Sequence, residues 1–180
     1  MHVAAGLALA FTAASVACLV YLHLAPTGYS PARNAVSEYG VGRYALWYRL
    51  QAALMGVAAA CLAVALRDPK RVVTLLAVFA VARVLIGWFP TDLMGATERT
   101  EHGRVHLLLA AVAFISISWA ASTLPSSQHG EPWLGKAMVV LALAMVLSRR
   151  GALRQWFGLI ERAFYVAAIA WLVLVSVRLL

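Results

Sequence analysis

The stretch WFGLIERAFYVAAIAWLVLVSVRL, residues 156–179, is apolar along most of its length but contains Glu161 and Arg162 near its start. About 20 mostly apolar residues are enough for an α-helix to cross the hydrocarbon core of a bilayer, so this stretch predicts a transmembrane helix. A charged pair about one turn inside such a helix is costly unless it faces a partner or a water-filled niche. The stretch therefore predicts a membrane span with a polar site beside it.

The remainder of the chain has the composition of a membrane protein. Of its 180 residues, 63% are hydrophobic and 12% are charged, whereas soluble domains carry about a quarter charged residues. The apolar runs are continuous and lack the alternation of apolar and polar residues that marks outer-membrane barrels. We therefore predict one all-α domain, residues 1–180, that forms a polytopic transmembrane bundle of six helices. The predicted spans are 3–24, 44–66, 72–89, 105–124, 132–147 and 156–179.

The strong positive charge, +8 at neutral pH, raises the question of nucleic-acid binding. The basic residues are scattered over several loops and helix ends, with no patch in which they alternate with aromatic residues, so we predict no nucleic-acid partner. Short basic loops instead attract lipid headgroups and control membrane topology. We expect no cofactor, and the oligomeric state is left open.

Counting the connections between the six spans places most polar residues on one side of the membrane. The first, third and fifth connections must share a side, and the residues near those ends of the helices belong to the same layer. The polar residues found there predict one pocket near one membrane face. They are Ser37, Glu38, Tyr39, Arg83, Asp92, His102, His106, Glu161 and Arg162.

The carboxylates and histidines of this group suggest chemistry as well as binding. Burial near lipid shifts the pKa values of such groups toward neutrality, so Glu38, Asp92 and His106 are hypothetical acid–base residues. The remaining six, Ser37, Tyr39, Arg83, His102, Glu161 and Arg162, are predicted binding residues. An ion-pair network that ties loops onto helix ends is the alternative interpretation of the same charges.

Two further expectations concern particular residues. Arg83 lies too deep to reach water easily, so we expect it to contact a carboxylate, in the order Asp92, Glu38, Glu161. His102 and His106 are four residues apart, so a continuous helix would place both on one face, where they could grip a metal ion. We assign no metal and keep this histidine pair as an alternative.

Four short motifs resemble a known family. They are NAVSEYG at residues 34–40, FPTD at 89–92, GRVH at 103–106 and ER at 161–162. In this order and topology they resemble the prokaryotic membrane proteins grouped as domain of unknown function 998. A more distant likeness is to the eukaryotic membrane family of a GPI-anchor lipid-remodelling factor and damage-regulated autophagy modulators. The nearer resemblance implies a six-helix bundle in a prokaryotic cytoplasmic membrane. It also implies the signature positions Ser37, Glu38, Asp92, His106, Glu161 and Arg162.

Three functions remain open at this point. The leading hypothesis is that one polar pocket engages a membrane lipid or a lipophilic small molecule. An intramembrane enzyme, using acid–base or metal-assisted chemistry on a lipophilic substrate, is the first alternative, and a non-catalytic structural or accessory subunit is the second. A cavity that reaches from the polar residues to the lipid-facing surface would favour the first two.

The orientation of the polar side also remains open. The polar side carries more arginines than the opposite side, and Arg149, Arg150 and Arg154 are among them. This excess of basic residues favours a cytoplasmic location. The family resemblance instead suggests a cytoplasmic N-terminus with the first connection outside.

Overall fold

The computed structural model describes residues 1–149 and 151–180, and Arg150, counted above among the basic residues, lies outside them. Within those residues the chain is helical and contains no strand, which confirms the predicted fold class. The six α-helices are α1 His2–Leu24, α2 Ala45–Leu66, α3 Lys70–Ile86, α4 Glu101–Thr123, α5 Pro132–Leu147 and α6 Phe157–Arg178. Short 3-10 turns occupy Val36–Gly40, Ser126–Gln128 and Gly151–Trp156.

Four segments are long and apolar enough to cross a membrane: His2–Leu24, Ala45–Leu66, Glu101–Thr123 and Gly151–Arg178. Large apolar side chains also cover the outside of the bundle; for example, Val3 is 78% exposed and Val146 68%. Such a surface suits hydrocarbon rather than water, and the chain is an integral membrane protein. α3 and α5 contain 17 and 16 residues, about 25 Å of helix at 1.5 Å per residue, so six complete spans stay a prediction.

The helix α4 begins four residues before the apolar run that predicted it. The side-chain oxygen of Thr100 accepts a hydrogen bond from the backbone N–H of Gly103 at 3.0 Å, which is an N-cap. An N-cap satisfies one of the free donors at a helix start and fixes where the helix begins. His102 and His106 therefore lie within α4, in its first two turns.

The helices form a ring in chain order. Each helix packs against the next one along the chain, and α6 closes the ring against α1. Small residues allow the closest approaches: a Cβ on Gly56 of α2 would lie 2.8 Å from the carbonyl oxygen of Ala80 on α3. In lipid, close backbone packing of this kind replaces the hydrophobic effect as a source of helix association.

The ring is not equally tight at both ends. Near the start of α5, Gly135 lies directly against Ser122 of α4, with no room for a Cβ between them. Toward the end of α5, Met145 and Val146 instead face a space shared with α4 and α6. The two helices thus diverge toward the side that carries the polar residues.

Candidate functional site

The first connection is folded down onto the helix ends. Val36, Glu38 and Tyr39 are each no more than 1% exposed. The backbone N–H of Leu159 donates to the carbonyl oxygen of Ala32 at 3.1 Å. Gly158 permits this approach, because a Cβ there would overlap the carbonyl oxygen of Asn34. The connection therefore forms part of the bundle's polar end.

Glu38 joins the first connection to the third. Its carboxylate accepts hydrogen bonds from the Nδ2 of Asn34 at 2.7 Å, from the backbone N–H of Ala35 at 2.9 Å and from the backbone N–H of Met94. Several donors to one carboxylate fix its position between the two connections. Glu38 does not line the pocket described below, so its contacts are those of a residue that positions two loops.

The guanidinium of Arg162 forms its hydrogen bonds with other groups of the protein. Its guanidinium donates to His23 Nε2 at 2.7 Å, to the carbonyl oxygens of Asn34 at 2.8 Å and Gly158 at 3.0 Å, and to the hydroxyl of Tyr39 at 3.1 Å. These contacts connect α1, the first connection and α6. Arg162 and Tyr39, both predicted binding residues, therefore lie together on the side of α6 away from the pocket.

Asp92 holds the N-cap residue of α4, Thr100, in place. Its carboxylate accepts hydrogen bonds from the backbone N–H of Thr100 at 3.2 and 3.3 Å and from the Thr100 hydroxyl at 2.7 Å. The same carboxylate occupies the place that a Cβ on Gly103 would need. The motifs FPTD and GRVH are thus two halves of one local structure, in which the glycine makes room for the aspartate.

The prediction that Arg83 contacts a carboxylate is wrong. Its Nη1 donates to the Tyr165 hydroxyl at 3.0 Å and its Nη2 to Gln51 Oε1 at 2.9 Å. Within residues 1–149 and 151–180 the salt bridge is that of Glu131 with Arg178, at the other end of the bundle. The physical reason is that Asp92 and Glu38 are already bound by Thr100 and by loop amides, which leaves neutral oxygens to face the arginine.

His106 presents one free nitrogen. Its Nδ1 lies 2.7 Å from the carbonyl oxygen of Phe89 and must donate a proton to it. In the neutral ring Nε2 then carries a lone pair, and this buried atom has no hydrogen-bond partner among the described residues. His102 is exposed and its ring lies 5.9 Å from that of Phe89. Over the same residues no group of three His, Cys, Asp or Glu side chains could hold a metal ion.

A pocket of about 340 Å³ lies between α4, α5, α6 and the third connection. Five of the predicted residues line it: Ser37, Arg83, Asp92, His106 and Glu161. Glu38, Tyr39, His102 and Arg162 do not. Glu161 is held at the wall of the pocket by the backbone N–H of Val36, which donates to its Oε2 at 2.7 Å.

The lining of this pocket has three parts. The pocket floor is polar and buried, and consists of Tyr48, Arg83, His106, Glu161 and Tyr165. The pocket mouth is cationic and consists of Arg99, Arg149 and Arg154. The apolar wall runs deeper along the bundle and consists of Leu107, Ala110, Ala111, Phe114, Ile115, Ala142, Met145 and Val146. From Gly103 to Ile115 the pocket follows α4 for about 18 Å at 1.5 Å per residue.

The apolar wall reaches the outside of the bundle. Ile115 is 59% exposed and Val146 is 68% exposed, and both also line the pocket. An opening between α4 and α5 therefore connects the polar floor with the surface that faces lipid. It lies where the two helices diverge.

Several floor and mouth residues were missed by sequence reasoning. Tyr48 was visible as a polar residue at the start of the second apolar run, but nothing indicated which face it occupied. The same is true of Gln51, which does not line the pocket but accepts a hydrogen bond from Arg83. Tyr165 lies inside an apolar run, where an aromatic residue is most simply a packing residue. The mouth arginines were counted only as topology signals.

Comparison with known proteins gives one match. Neither the curated proteins nor the solved structures contain a match to the chain, and the distant likeness to the lipid-remodelling family stays a prediction. The family described as "Protein of unknown function (DUF998)" matches residues 3–178, which is nearly the whole chain. This match covers all four motifs quoted above, and the chain belongs to the DUF998 family.

Proposed function

We propose that the protein binds a membrane lipid or a similar amphiphile in the pocket between α4, α5 and α6. The observation that carries the proposal is the continuity of the pocket, from a polar floor to an apolar wall that is open to lipid at Ile115 and Val146. An amphiphile has the same division into polar and apolar parts. We further propose that it does so in a prokaryotic cytoplasmic membrane, as the family resemblance implies.

Size and composition support this function. Small-molecule sites generally have volumes of about 300–1,000 Å³, with mostly apolar linings and a few polar groups that orient the ligand. A pocket of about 340 Å³ suits a headgroup with the first part of a chain. An accessory subunit with purely architectural polar residues would need neither the cavity nor its opening.

A bulky side chain on the apolar wall tests the proposal. Ala111 lines the pocket, while Leu108, one turn away on α4, is 64% exposed and does not line it. We expect Ala111→Trp to reduce the lipid retained through detergent purification, measured by native mass spectrometry, and Leu108→Trp to leave it unchanged. Equal retention by both variants and the parent protein would contradict the proposal. Photo-crosslinking with a diazirine-labelled lipid should label Met145, a buried pocket residue, in the parent protein and not in Ala111→Trp.

Catalysis on the same amphiphile is a second candidate function, favoured by the free Nε2 of His106. Histidine is the side chain most often used as a general base, and His106 lines the pocket. Ser37 also lines the pocket, and its hydroxyl would be the candidate nucleophile. Incubation of the purified protein with bacterial lipid extract, followed by mass spectrometry of the lipids, tests this function. No change in the mass of any lipid over time would rule against catalysis and leave binding as the function.

A further inference from the structure

Three polar atoms of the pocket floor lack partners within the described part of the chain. They are the Tyr48 hydroxyl, Arg83 Nε and His106 Nε2. The three side chains are 2%, 2% and 3% exposed, and buried polar atoms in native proteins almost always have a partner. These atoms therefore indicate what kind of group completes the floor.

A ligand group that pairs with all of these atoms must be able both to donate and to accept a hydrogen bond. His106 Nδ1 donates to the carbonyl oxygen of Phe89, so Nε2 of the neutral ring is an acceptor, and its partner must carry a proton. Arg83 Nε can only donate, so its partner must offer a lone pair. A hydroxyl group does both, and Tyr48 can act in either sense.

The arginines of the pocket mouth favour a negatively charged ligand group. The guanidinium groups of Arg99, Arg149 and Arg154 have no salt bridge to any carboxylate that the structure describes. Partial burial lowers the pKa of Arg149 from its ordinary value, and the nearby charge of Arg99 lowers that pKa further. Arg154 lies against Gly95 of the third connection. Three arginines that line one pocket, two of them close enough for their charges to interact, favour an anion such as a phosphodiester.

The depth order of these parts matches that of a lipid in one leaflet. The mouth lies at the loops, the floor lies about one to two turns into the helices, and the apolar wall continues toward the bilayer centre. A phosphate at the mouth would allow a headgroup to bend to the floor and a chain to leave between α4 and α5. A choline headgroup would instead place its positive charge next to Arg83 in the floor, and it has no proton to donate to His106.

We propose that the ligand is an anionic glycerophospholipid whose headgroup carries a free hydroxyl, with the phosphodiester at Arg99, Arg149 and Arg154 and the hydroxyl at His106. This inference rests on the proposed function, since it names the lipid class for the same pocket. It does not require a reaction, and it assigns separate roles to the mouth and the floor.

Matched lipids separate the two roles. Phosphatidylglycerol carries both the anion and the hydroxyl, phosphatidylethanol carries only the anion, and phosphatidylcholine carries neither feature in usable form. We expect phosphatidylglycerol to bind about five- to tenfold more tightly than phosphatidylethanol, the value of one hydrogen bond. We expect both to bind more tightly than phosphatidylcholine. The measurement is titration of each lipid into delipidated protein in detergent, monitored by native mass spectrometry. Glycerol phosphate, tested alongside, should not compete, because it has no chain for the apolar wall.

Two variants assign the preferences to residues. His106→Asn keeps a donor near the Nδ1 position for Phe89 and removes the acceptor at Nε2, so it should abolish the preference for phosphatidylglycerol over phosphatidylethanol. The triple variant Arg99→Gln, Arg149→Gln, Arg154→Gln should weaken both anionic lipids equally, to the level of phosphatidylcholine. Arg43→Gln, an exposed arginine outside the pocket, is the control and should change neither.

The outcomes separate this inference from the function on which it rests. Equal binding of phosphatidylglycerol and phosphatidylethanol to the parent protein, or tightest binding of phosphatidylcholine, would overturn the headgroup assignment while lipid binding stands. A preference for phosphatidylglycerol that persists in His106→Asn would overturn the role of His106. Competition by glycerol phosphate would identify a soluble phosphate ligand instead. No saturable binding of any lipid would overturn the proposed function as well.

Discussion

Replacement of Arg162 by methionine should release the first connection from the bundle. The guanidinium donates to His23 of α1, to Asn34 and Tyr39 of the first connection, and to Gly158 of its own helix. Each buried acceptor left without a donor costs about 1–3 kcal/mol. Three of the four acceptors lie outside α6, and such costs are not additive within one network. We therefore expect Arg162→Met to lower the free energy of unfolding by about 3–5 kcal/mol.

The measurement is reversible unfolding in mixed micelles, with Arg43→Met as the control. Arg43 lies on the same side of the bundle and is exposed, and its guanidinium carbon lies 5.7 Å from the centre of the Tyr44 ring. Hydrogen exchange should show lost protection at Val36, whose N–H bonds Glu161. Arg162→Lys should fall between the parent and methionine variants, because an ammonium cannot reproduce the planar fork. A loss for Arg162→Met within about 0.5 kcal/mol of that for Arg43→Met would refute the reasoning.

Three shorter predictions concern topology, the helix cap and the buried arginine. Cysteine labelling should find Ser30 and Ser127 on opposite membrane faces, since they lie in the first and fourth connections; labelling from one face would contradict six spans. Gly103→Ala should displace the Asp92 carboxylate and cost about 1–2 kcal/mol, the value of a lost cap; in Asp92→Ala the same change should cost much less by a double-mutant cycle. Arg83→Met should reduce the amount of lipid retained. It should change the free energy of unfolding by less than about 2 kcal/mol, because the lost hydrogen bonds are offset by removal of a buried charge. A large loss of stability with unchanged lipid retention would show a structural role.

The grouping of the site residues at one end of the bundle could be predicted from the sequence, because that prediction needs only the alternation of helix direction along the chain. Helices that cross in turn bring the first, third and fifth connections to one end of the bundle. Ser37, Asp92 and Glu161 belong to three different parts of the chain and line one pocket for this reason. Their approach required no knowledge of which helix face each residue occupies.

The helix face is what the sequence could not supply. Glu161 and Arg162 are adjacent, and on a helix adjacent residues point about 100° apart, so one faces the pocket and the other faces α1. In a soluble helix an apolar stripe would reveal the inward face. Here both the lipid-facing and the inward faces are apolar, and that signal is absent. The pairing of Arg162 with His23 was hidden for the same reason.

Arg83 shows how a wrong pairing can still indicate a site. The expectation of a carboxylate partner followed from the cost of a buried charge, and that cost is real. The carboxylates nearby are bound to Thr100, Met94 and other loop donors, so the arginine keeps neutral partners, and its Nε–H has no partner among the described residues. A chain that needed only a stable bundle would gain by replacing such a residue with an apolar one. Arg83 lies in the floor of the pocket, and the proposed lipid-binding function would give its Nε–H a partner that an architectural role does not supply.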